Sequence, residues 1–560
     1  MVKRAVELMS RFSAMKTSRS NHESAWQDIS DYMMPFRGDI TTKKSGGAKR
    51  VKPVFDSTAM IAADHLVNFM KGALLPPSQD WLRIVPPFDY QQDDTIRKLL
   101  DKTAQRVLAA LSQSNFYTEA TGALRDLIVL GNSTMLVEED TISPGYGGGL
   151  LFEAVPIGRM WWTQGKGSRI TMVVREYSMP ALDAVRYFDN PGKPALTHVS
   201  QGRPMEEVLY HQFCYENENK VKGGSPSKTN KNYVSTWICS DGIPPTIIRE
   251  SGYDTKPYIV SRLHRVDGEE YGRGRGHLAR ADARGLSELR RQILIAAGRD
   301  LNPPLMVEDD TMVDMDIANG GIIVTRPPVK ISPNFLKSGA DYAAADKIAR
   351  DDRDQIRQAF LSDVLSEPAS QPRSAEESRQ RQQRSLQRLA SAADIVNNEF
   401  LGPVVQSVMG IMSRRNELPE GSEAASMMGG SISATVKFSS PFFSAQKQGS
   451  AQRVMSFLER RLALMQATQD PAFIEDIHPD RLREFDMQQS DVPAEIFRTQ
   501  DEINDIREAR AAKEAQAREA EMQQQEAQMQ QQQAQAEAQQ QQQQGPPPEE
   551  APVEEGAPVG

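Results

Sequence analysis

Cysteine is nearly absent: the 560-residue chain holds only Cys214 and Cys239. Two thiols exclude a disulfide scaffold and a four-cysteine zinc site. They fall on two predicted strands and read as small buried apolar residues. The seven histidines, at positions 22, 65, 198, 211, 264, 277 and 478, show no metal-ligand spacing. No run approaches the roughly 18 apolar residues that a membrane span needs, so no membrane partner is expected. The start, Met1-Val2-Lys3-Arg4-Ala5-Val6-Glu7, carries no apolar block of the signal-peptide kind, and the chain is expected in the cytoplasm where it is made. Positive charge is not in excess. Against 75 Asp and Glu stand 66 Lys and Arg, for a net charge of −9 and a pI near 5.6. A general nucleic-acid coat would be basic, so that class is excluded, whereas a protein past which DNA slides without being gripped is not.

Catalytic motifs are missing too. There is no Gly-x-Ser-x-Gly elbow. Gly223-Gly224-Ser225-Pro226-Ser227-Lys228-Thr229 echoes a phosphate loop, but Ser227 replaces the glycine before the lysine and a proline interrupts the turn. Gly272-Arg273-Gly274-Arg275-Gly276 lacks the spacing and βαβ context of a dinucleotide fingerprint. Glu308, Asp309, Asp310, Asp314 and Asp316 could offer oxygens to a divalent ion. They lack the loop glycine and spacing of an EF-hand, and a solvated acidic edge describes them better. No enzyme activity, metal or cofactor is therefore expected.

What is present is mostly helical periodicity. Trp26, Ile29 and Met33 share a helix face that Pro35 ends. After a basic loop, 43–52, Asp56 or Ser57 can cap a helix with the stripe Met60, Ala63, Val67, Met70 and Leu74, stopped by Pro76-Pro77. Helices follow over 93–113 and 116–131, with Gly131-Asn132 as a left-handed cap. Strands are expected around 135–137 and 150–152, paired across a glycine-rich loop, and at 170–174, 206–215, 232–239 and 257–263, with 218–231 a surface loop. Beyond Gly276 helices return, interrupted by a β-rich stretch at 303–332. A long helix from about 375 carries Leu386, Leu389, Ala393, Val396, Phe400, Val404, Val408 and Ile411, kinked but not ended at Gly402-Pro403. A strand at 434–438 and helices at 446–466 and beyond 491 complete the body.

Two patterns bear on function. At about 100° per residue, Arg273, His277, Arg280, Arg284 and Arg291 fall in one narrow sector of a helix, with Leu278, Leu286, Leu289 and Ile293 opposite. Such a basic stripe can face nucleic acid or pair with the acids of the helix at 341–363, namely Asp346, Asp351, Asp352 and Asp354. The acidic total charge favours pairing. The second pattern is the segment from Ile503 to Gln544, rich in Ala, Gln, Glu and Arg. These residues form helix readily but offer almost nothing to bury. Alone it is marginal; it makes sense if many copies stand side by side, and the other reading is a disordered low-complexity terminus.

Five segments recur in a particular order: Phe55-Asp56-Ser57-Thr58-Ala59 through Leu74-Leu75-Pro76-Pro77 to Asp80-Trp81-Leu82; Asn115-Phe116-Tyr117 with Asp126-Leu127 and Gly131; Glu250-Ser251-Gly252-Tyr253 with Gly268-Glu269-Glu270-Tyr271-Gly272-Arg273-Gly274; Asn302-Pro303-Pro304-Leu305-Met306-Val307; and Ile356-Arg357-Gln358-Ala359-Phe360 with Glu376-Glu377 and Phe400-Leu401-Gly402-Pro403. Over roughly residues 20 to 420 they resemble the head-to-tail connector, or portal, family of short-tailed bacteriophages. Two departures stand out: Arg275-Gly276 where a proline is expected, and Pro372-Arg373-Ser374-Ala375-Glu376 where the family's long helix starts Thr-Ala-x-Glu.

The resemblance implies an α+β, mainly helical portal fold, assembled as a ring of commonly twelve subunits at one capsid vertex, through which double-stranded DNA is packaged and ejected. Mapped here, it implies a wing (1–272), a first stem helix (273–300), a clip (301–340), a second stem helix (341–365) and a channel loop. That loop would be Ser366, Glu367, Pro368, Ala369, Ser370, Gln371, Pro372, Arg373 and Ser374. A kinked helix and wing return (375–444), a crown (445–502), a helical barrel (503–544) and an acidic, proline-rich disordered tail (545–560) would follow. Implied partners are further copies of itself, the terminase large subunit, tail adaptor or nozzle proteins, major capsid and scaffolding proteins, and internal core or ejection proteins. The implied location is the virion. Two rival readings are a metal-dependent nucleic-acid-processing enzyme built on the 308–316 acids, and a cytosolic scaffold that forms no ring.

Overall fold

Apolar spacing determines where the chain becomes helical, and the computed structural model shows which faces it buries. The model describes residues 2–37, 39–41, 54–85, 94–140, 149–217, 230–303, 305–308, 322–325, 340–362, 389, 392–419, 435–438, 441–468, 482 and 500–543. They belong to two compact units, Met1–Asp491 and Val492–Gly560. The loops at 43–52 and 366–374, most of 218–231 and of the 308–316 acids, the start of the long helix at 375 and the tail 545–560 lie outside the described residues.

Helix α1, Val2–Met33, buries two different sets of residues. Ala5, Leu8, Phe12 and Met15 pack on Trp161, Met172, Val174, Phe213 and Ile238, while Trp26, Ile29 and Met33 enter the main core. Helix α2, Thr58–Leu74, stops short of Pro76-Pro77. Of the two expected caps, Asp56 acts: its Oδ1 accepts the Thr58 N–H at 2.9 Å, and Ser57 makes no side-chain cap bond. Strand β1, Leu82–Val85, precedes α3, Asp94–Gln113, and α4, Phe116–Leu130. Gly131 ends α4 at φ +86°, the left-handed cap expected from sequence.

Strand β2, Asn132–Glu139, pairs antiparallel with β3, Leu150–Ala154, placing Val137 opposite Phe152. Strands β4, Met160–Gln164, β5, Ile170–Pro180, β6, Glu207–Glu216, β7, Tyr233–Cys239, and β8, Thr246–Tyr253, form a five-stranded antiparallel sheet in chain order. Strand β9, Tyr258–Arg262, returns to β2 and completes a three-stranded sheet ordered β3-β2-β9. Two short helices, α5, Ala181–Tyr187, and α6, Lys193–Ser200, link β5 to β6 and bury Ala181, Ala184, Phe188 and Ala195 against Tyr210, Trp237 and Cys239. The first half of α1 covers the other face. Both faces being covered, Val173 and Arg175 are buried along with Ile170, Met172 and Val174. Both cysteines are buried and free, as read from sequence, and burial pushes the Cys214 thiol up to about 12.

Helix α7, Arg275–Leu301, leads to strands β10, Leu305–Glu308, and β11, Ile322–Thr325, which pair in parallel, and then to α8, Tyr342–Ala359, which packs along α7. The bend expected at Gly402-Pro403 is a π turn, Asn397–Leu401, running into α9, Gly402–Arg414. The Gly402 N–H reaches back to the Asn397 carbonyl, and Pro403 has no N–H to give, so the ladder widens without breaking. Strand β12, Thr435–Phe438, pairs with β1, and α10 covers Pro441–Thr468. In the second unit α11, Gln500–Gln543, is one helix of 44 residues whose described side chains are nearly all exposed.

Gly131 cannot accept a side chain at its positive φ, and a Cβ there would lie 2.2 Å from the Arg273 carbonyl carbon. Gly131→Ala is expected to destabilise the body by about 2 kcal/mol or more. Denaturant unfolding followed by tryptophan fluorescence measures it; an unchanged midpoint would show that this cap is dispensable.

Candidate functional site

The strip Gly272-Arg273-Gly274-Arg275-Gly276 lies directly against the end of α4. A Cβ at Gly272 would stand 2.7 Å from the Gly131 oxygen, one at Gly274 2.4 Å from the Val129 oxygen, and one at Gly276 2.6 Å from that same oxygen. Glycine at every second position thus allows backbone to run on backbone. Asn132 secures the contact like a second peptide group: its Nδ2 donates to the Gly272 oxygen at 2.8 Å and its Oδ1 accepts the Gly272 N–H at 2.7 Å. The strip resembles a nucleotide loop only in composition; it is a joint that launches α7.

The buried face of α7 is Gly276, Ala279, Ala283, Leu286 and Ser287. This corrects the expected apolar face. Leu278 is 63% exposed, and Leu289 and Ile293 are only half-buried. Counting large apolar residues points about 90° away from the true contact, because close packing among α1, α2, α4 and α8 selects small side chains. Past Leu289, which still packs against the main core, Leu294, Ile295 and Leu301 are exposed, as are Tyr342 and Ile348 of α8.

Of the basic stripe, His277, Arg280, Arg284 and Arg291 are on α7, whereas Arg273 precedes the helix and bridges to His264. Arg273, His277 and Arg280 line a groove with Ser18, Asn21 and His22 of α1 and with Glu269 and Glu270. Arg273 donates to Glu269 at 2.5 Å, Arg284 stands 4.0 Å from Asp28, and Arg291 donates to Glu288 at 2.6 Å. His277 Nδ1 accepts the Gly274 N–H at 3.2 Å. Arg280 forms no ion pair among the described residues. On α8, Asp346 pairs with Arg350 at 2.5 Å and Asp354 with Arg357 at 3.1 Å. Asp352, beside Asp282 and Asp351, has its carboxyl raised first by burial and then by these two like charges. Within one chain, then, the stripe's ion pairs go to Glu269, Asp28 and Glu288, and the α8 aspartates are satisfied on their own helix or crowded by other acids. What does tie α8 to the body is Arg353, whose Nη2 donates to Asp56 Oδ2 at 2.9 Å.

No three His, Cys, Asp or Glu side chains gather as a metal site among the described residues, and no described helix is long and apolar enough to cross a membrane. Residues 366–374, expected as a channel loop, and Asp309, Asp310, Asp314 and Asp316 are not among the described residues; Glu308 ends β10.

Several of the motifs that carry the resemblance act as joints. Trp81 Nε1 donates to the Tyr117 hydroxyl at 3.0 Å, and Asn115 exchanges two hydrogen bonds with the Phe152 backbone at 2.8 and 3.1 Å. Asp126, buried, accepts from Arg37 Nε at 2.6 Å. Glu399 of the π turn accepts the Arg262 N–H at 2.7 Å and pairs with Arg265. Sequence reading missed Asn132 and Glu399 as joint residues. The signal for Asn132 was its place directly after the capping glycine.

His277 is neutral at pH 7: burial first, then Arg273, Arg280 and His22, lower it from its usual 6.5 to about 4. Unfolded, it binds a proton near pH 6.5, so stability is full above that value and falls as pH drops from about 6.5 toward about 4. His277→Gln, which keeps an acceptor for Gly274, is expected to flatten that slope in thermal melts taken across pH 4 to 7. An unchanged slope would place the acid sensitivity elsewhere.

Comparison with known proteins places this architecture in a family. Residues 5–497 match the family model described as bacteriophage head to tail connecting protein. The chain is 24% identical over 539 residues to the portal protein of Salmonella phage epsilon15, covering 92% of each chain. It is 22% identical over 537 residues to a probable portal protein of Bordetella phage BPP-1, again covering 92% of each. The chain belongs to the bacteriophage head to tail connecting protein family.

Proposed function

We propose that this chain is a portal protein, the subunit of a ring, commonly of twelve copies, at one capsid vertex through which viral double-stranded DNA enters and leaves. The observation that carries the reading is the end-to-end match to phage portal proteins, 92% of both chains in each of two relatives. In this reading α7 and α8 are the stem, β10 and β11 belong to the clip between them, residues 366–374 form the channel loop, α10 belongs to the crown and α11 to a barrel. The exposed Leu278, Leu294, Ile295 and Leu301 of α7 support it, since a helix with so much apolar surface is better covered by neighbouring copies than by water. A net charge of −9 supports sliding, because an acidic ring offers DNA phosphates few anchors. Between neighbouring subunits the basic stripe of one α7 can meet Asp351 and Asp352 of the next α8.

The protein acts as a structural platform. The terminase docks on the clip side and supplies the energy for packaging, and the tail adaptor takes that place afterwards. Capsid and scaffolding proteins contact the wing, and internal core proteins the crown. The finished subunit resides in the virion.

Negative-stain electron microscopy of the purified protein, with native mass measurement on the same sample, is expected to show rings with a central hole. Leu294→Glu is expected to cut the ring fraction about tenfold, since it buries a charge at the subunit contact. A wild-type protein that stays monomeric even with its scaffolding protein would overturn the ring reading.

A further inference from the structure

Helix α11 carries a repeat that its composition hides. Ala520, Ala527 and Ala534 recur every seven residues, and so do Met522, Met529 and Ala536. Between Arg518 and Ala538 every apolar residue belongs to one of these two series; the rest are Gln and Glu. The backbone is helical throughout, and Met522 and Met529 stand 58% and 62% exposed with Ala520 and Ala527 exposed beside them.

The spacing within the repeat selects the kind of partner. A two- or three-stranded coiled coil needs apolar residues three and four apart, which bring both series to one face about 60° wide. Here the steps are two and five. Residues two apart on a helix are separated by about 200° one way and about 160° the other. The two series therefore lie on nearly opposite flanks and cannot serve one partner. They can serve two, one on each side. In a closed ring of about twelve parallel helices, the directions from one helix to its two neighbours open at about 150°, close to the angle between the series.

The two flanks also differ in size: one is alanine, the other mostly methionine. A methionine flank packs best against an alanine flank, knob over hole, so each contact joins unlike faces. Head-to-tail contacts between unlike faces generate rings when the rotation closes. We infer that α11 is a wall helix, whose methionine flank (Met522, Met529) seats on the alanine flank (Ala520, Ala527) of α11 in a second copy of this chain, continuing around a closed tube. Gln and Glu then face inward and outward. The inference rests on the ring reading above and adds to it which side chains meet, and that the contact is between unlike faces.

Full-length rings carrying Ala520→Cys together with Met522→Cys test it by disulfide formation under mild oxidation. Cys214 and Cys239 are buried, so wild type serves as the blank. The expected result on a non-reducing gel is a ladder of every multiple up to the full ring. Ala520→Cys alone and Met522→Cys alone should remain monomers. Gln528→Cys with Gln530→Cys, also two apart but off both flanks, should give at least tenfold less ladder. Ala527→Cys with Met529→Cys, one heptad along, should repeat the ladder and covers the case in which the first pair disturbs assembly. Rings that yield no ladder from either pair, or dimers from Met522→Cys alone, would overturn the two-flank contact and leave the ring standing. A wild type without rings would overturn the ring reading itself, and the wall with it.

Discussion

Backbone lying on backbone, at the crossing of Gly131 with Gly272–Gly276, is the constraint from which the rest of the body takes its direction. No side chain at these glycines could be added without moving α4 or the start of α7. The crossing is locked by Asn132 and by the Leu263 N–H donating to the Gly131 oxygen at 2.9 Å. Because it orients α7, it also orients α8, which packs along α7 and is anchored at Asp56 through Arg353. A long helix pair held at one end amplifies any rotation at its base. In a ring, where neighbouring pairs must meet at a fixed angle, a hinge made of backbone is less compliant than one made of side chains.

The five-stranded sheet is positioned by a second device, a buried cation. Arg19 divides the two buried sets of α1. Its Nη1 donates to the Ile157 and Met160 oxygens at 2.8 and 2.7 Å, its Nε to Glu23 at 2.7 Å, and its plane stacks 4.0 Å from the Trp161 ring centroid. Taking an unpaired guanidinium out of water costs several kcal/mol, so the site is tolerable only with that set of partners complete. Burial lowers its proton affinity, yet an arginine begins so high that it stays charged. The apolar contacts on either side of Arg19 supply adhesion. The arginine supplies register, because a one-residue slip of α1 would strand the charge.

What the sequence made legible follows from how local its cause is. The stripe of α2, the Gly131 cap, the pairing of β2 with β3 and the stop at Pro76-Pro77 are local, and all stand where the residues predict. Strands β1, β4 and β8 and helices α5 and α6 escaped notice. Strand β8 has no fully buried residue and β1 only four residues, so neither shows a clear pattern. Helices α5 and α6 are two turns long. The apolar face of α7 was misplaced because a contact made by glycine, alanine and serine leaves no hydrophobic signal. The same reason hid the heptads of α11: read for composition the segment is polar all round, and only the positions of its few apolar residues carry information. As for the candidate site, the stripe on α7 was legible by wheel geometry; of its partners Asp28 comes from a distant element, whereas Glu269 and Glu288 lie four and three residues from their arginines and were passed over for the α8 aspartates.

The two flanks of α11 bear on the order of assembly. One contact between neighbouring helices would bury two methionines and four alanines, on the order of 5 kcal/mol of gross apolar gain. Bringing two free helices together costs about 4–15 kcal/mol in lost motion, and these Gln-rich flanks add no strong ion pair. Isolated tails should therefore ignore one another in solution. Once the bodies have closed into a ring the calculation changes, because each tail is tethered beside two others at an effective concentration in the millimolar range. The wall is then formed by sequences too weak to nucleate a wrong assembly. A stronger apolar stripe would do the opposite, joining newly made chains tail to tail before their bodies could count to the right number. On the ring reading proposed above, the poverty of α11 in apolar residues makes closure of the bodies the step that commits the subunits, with the tube following from it.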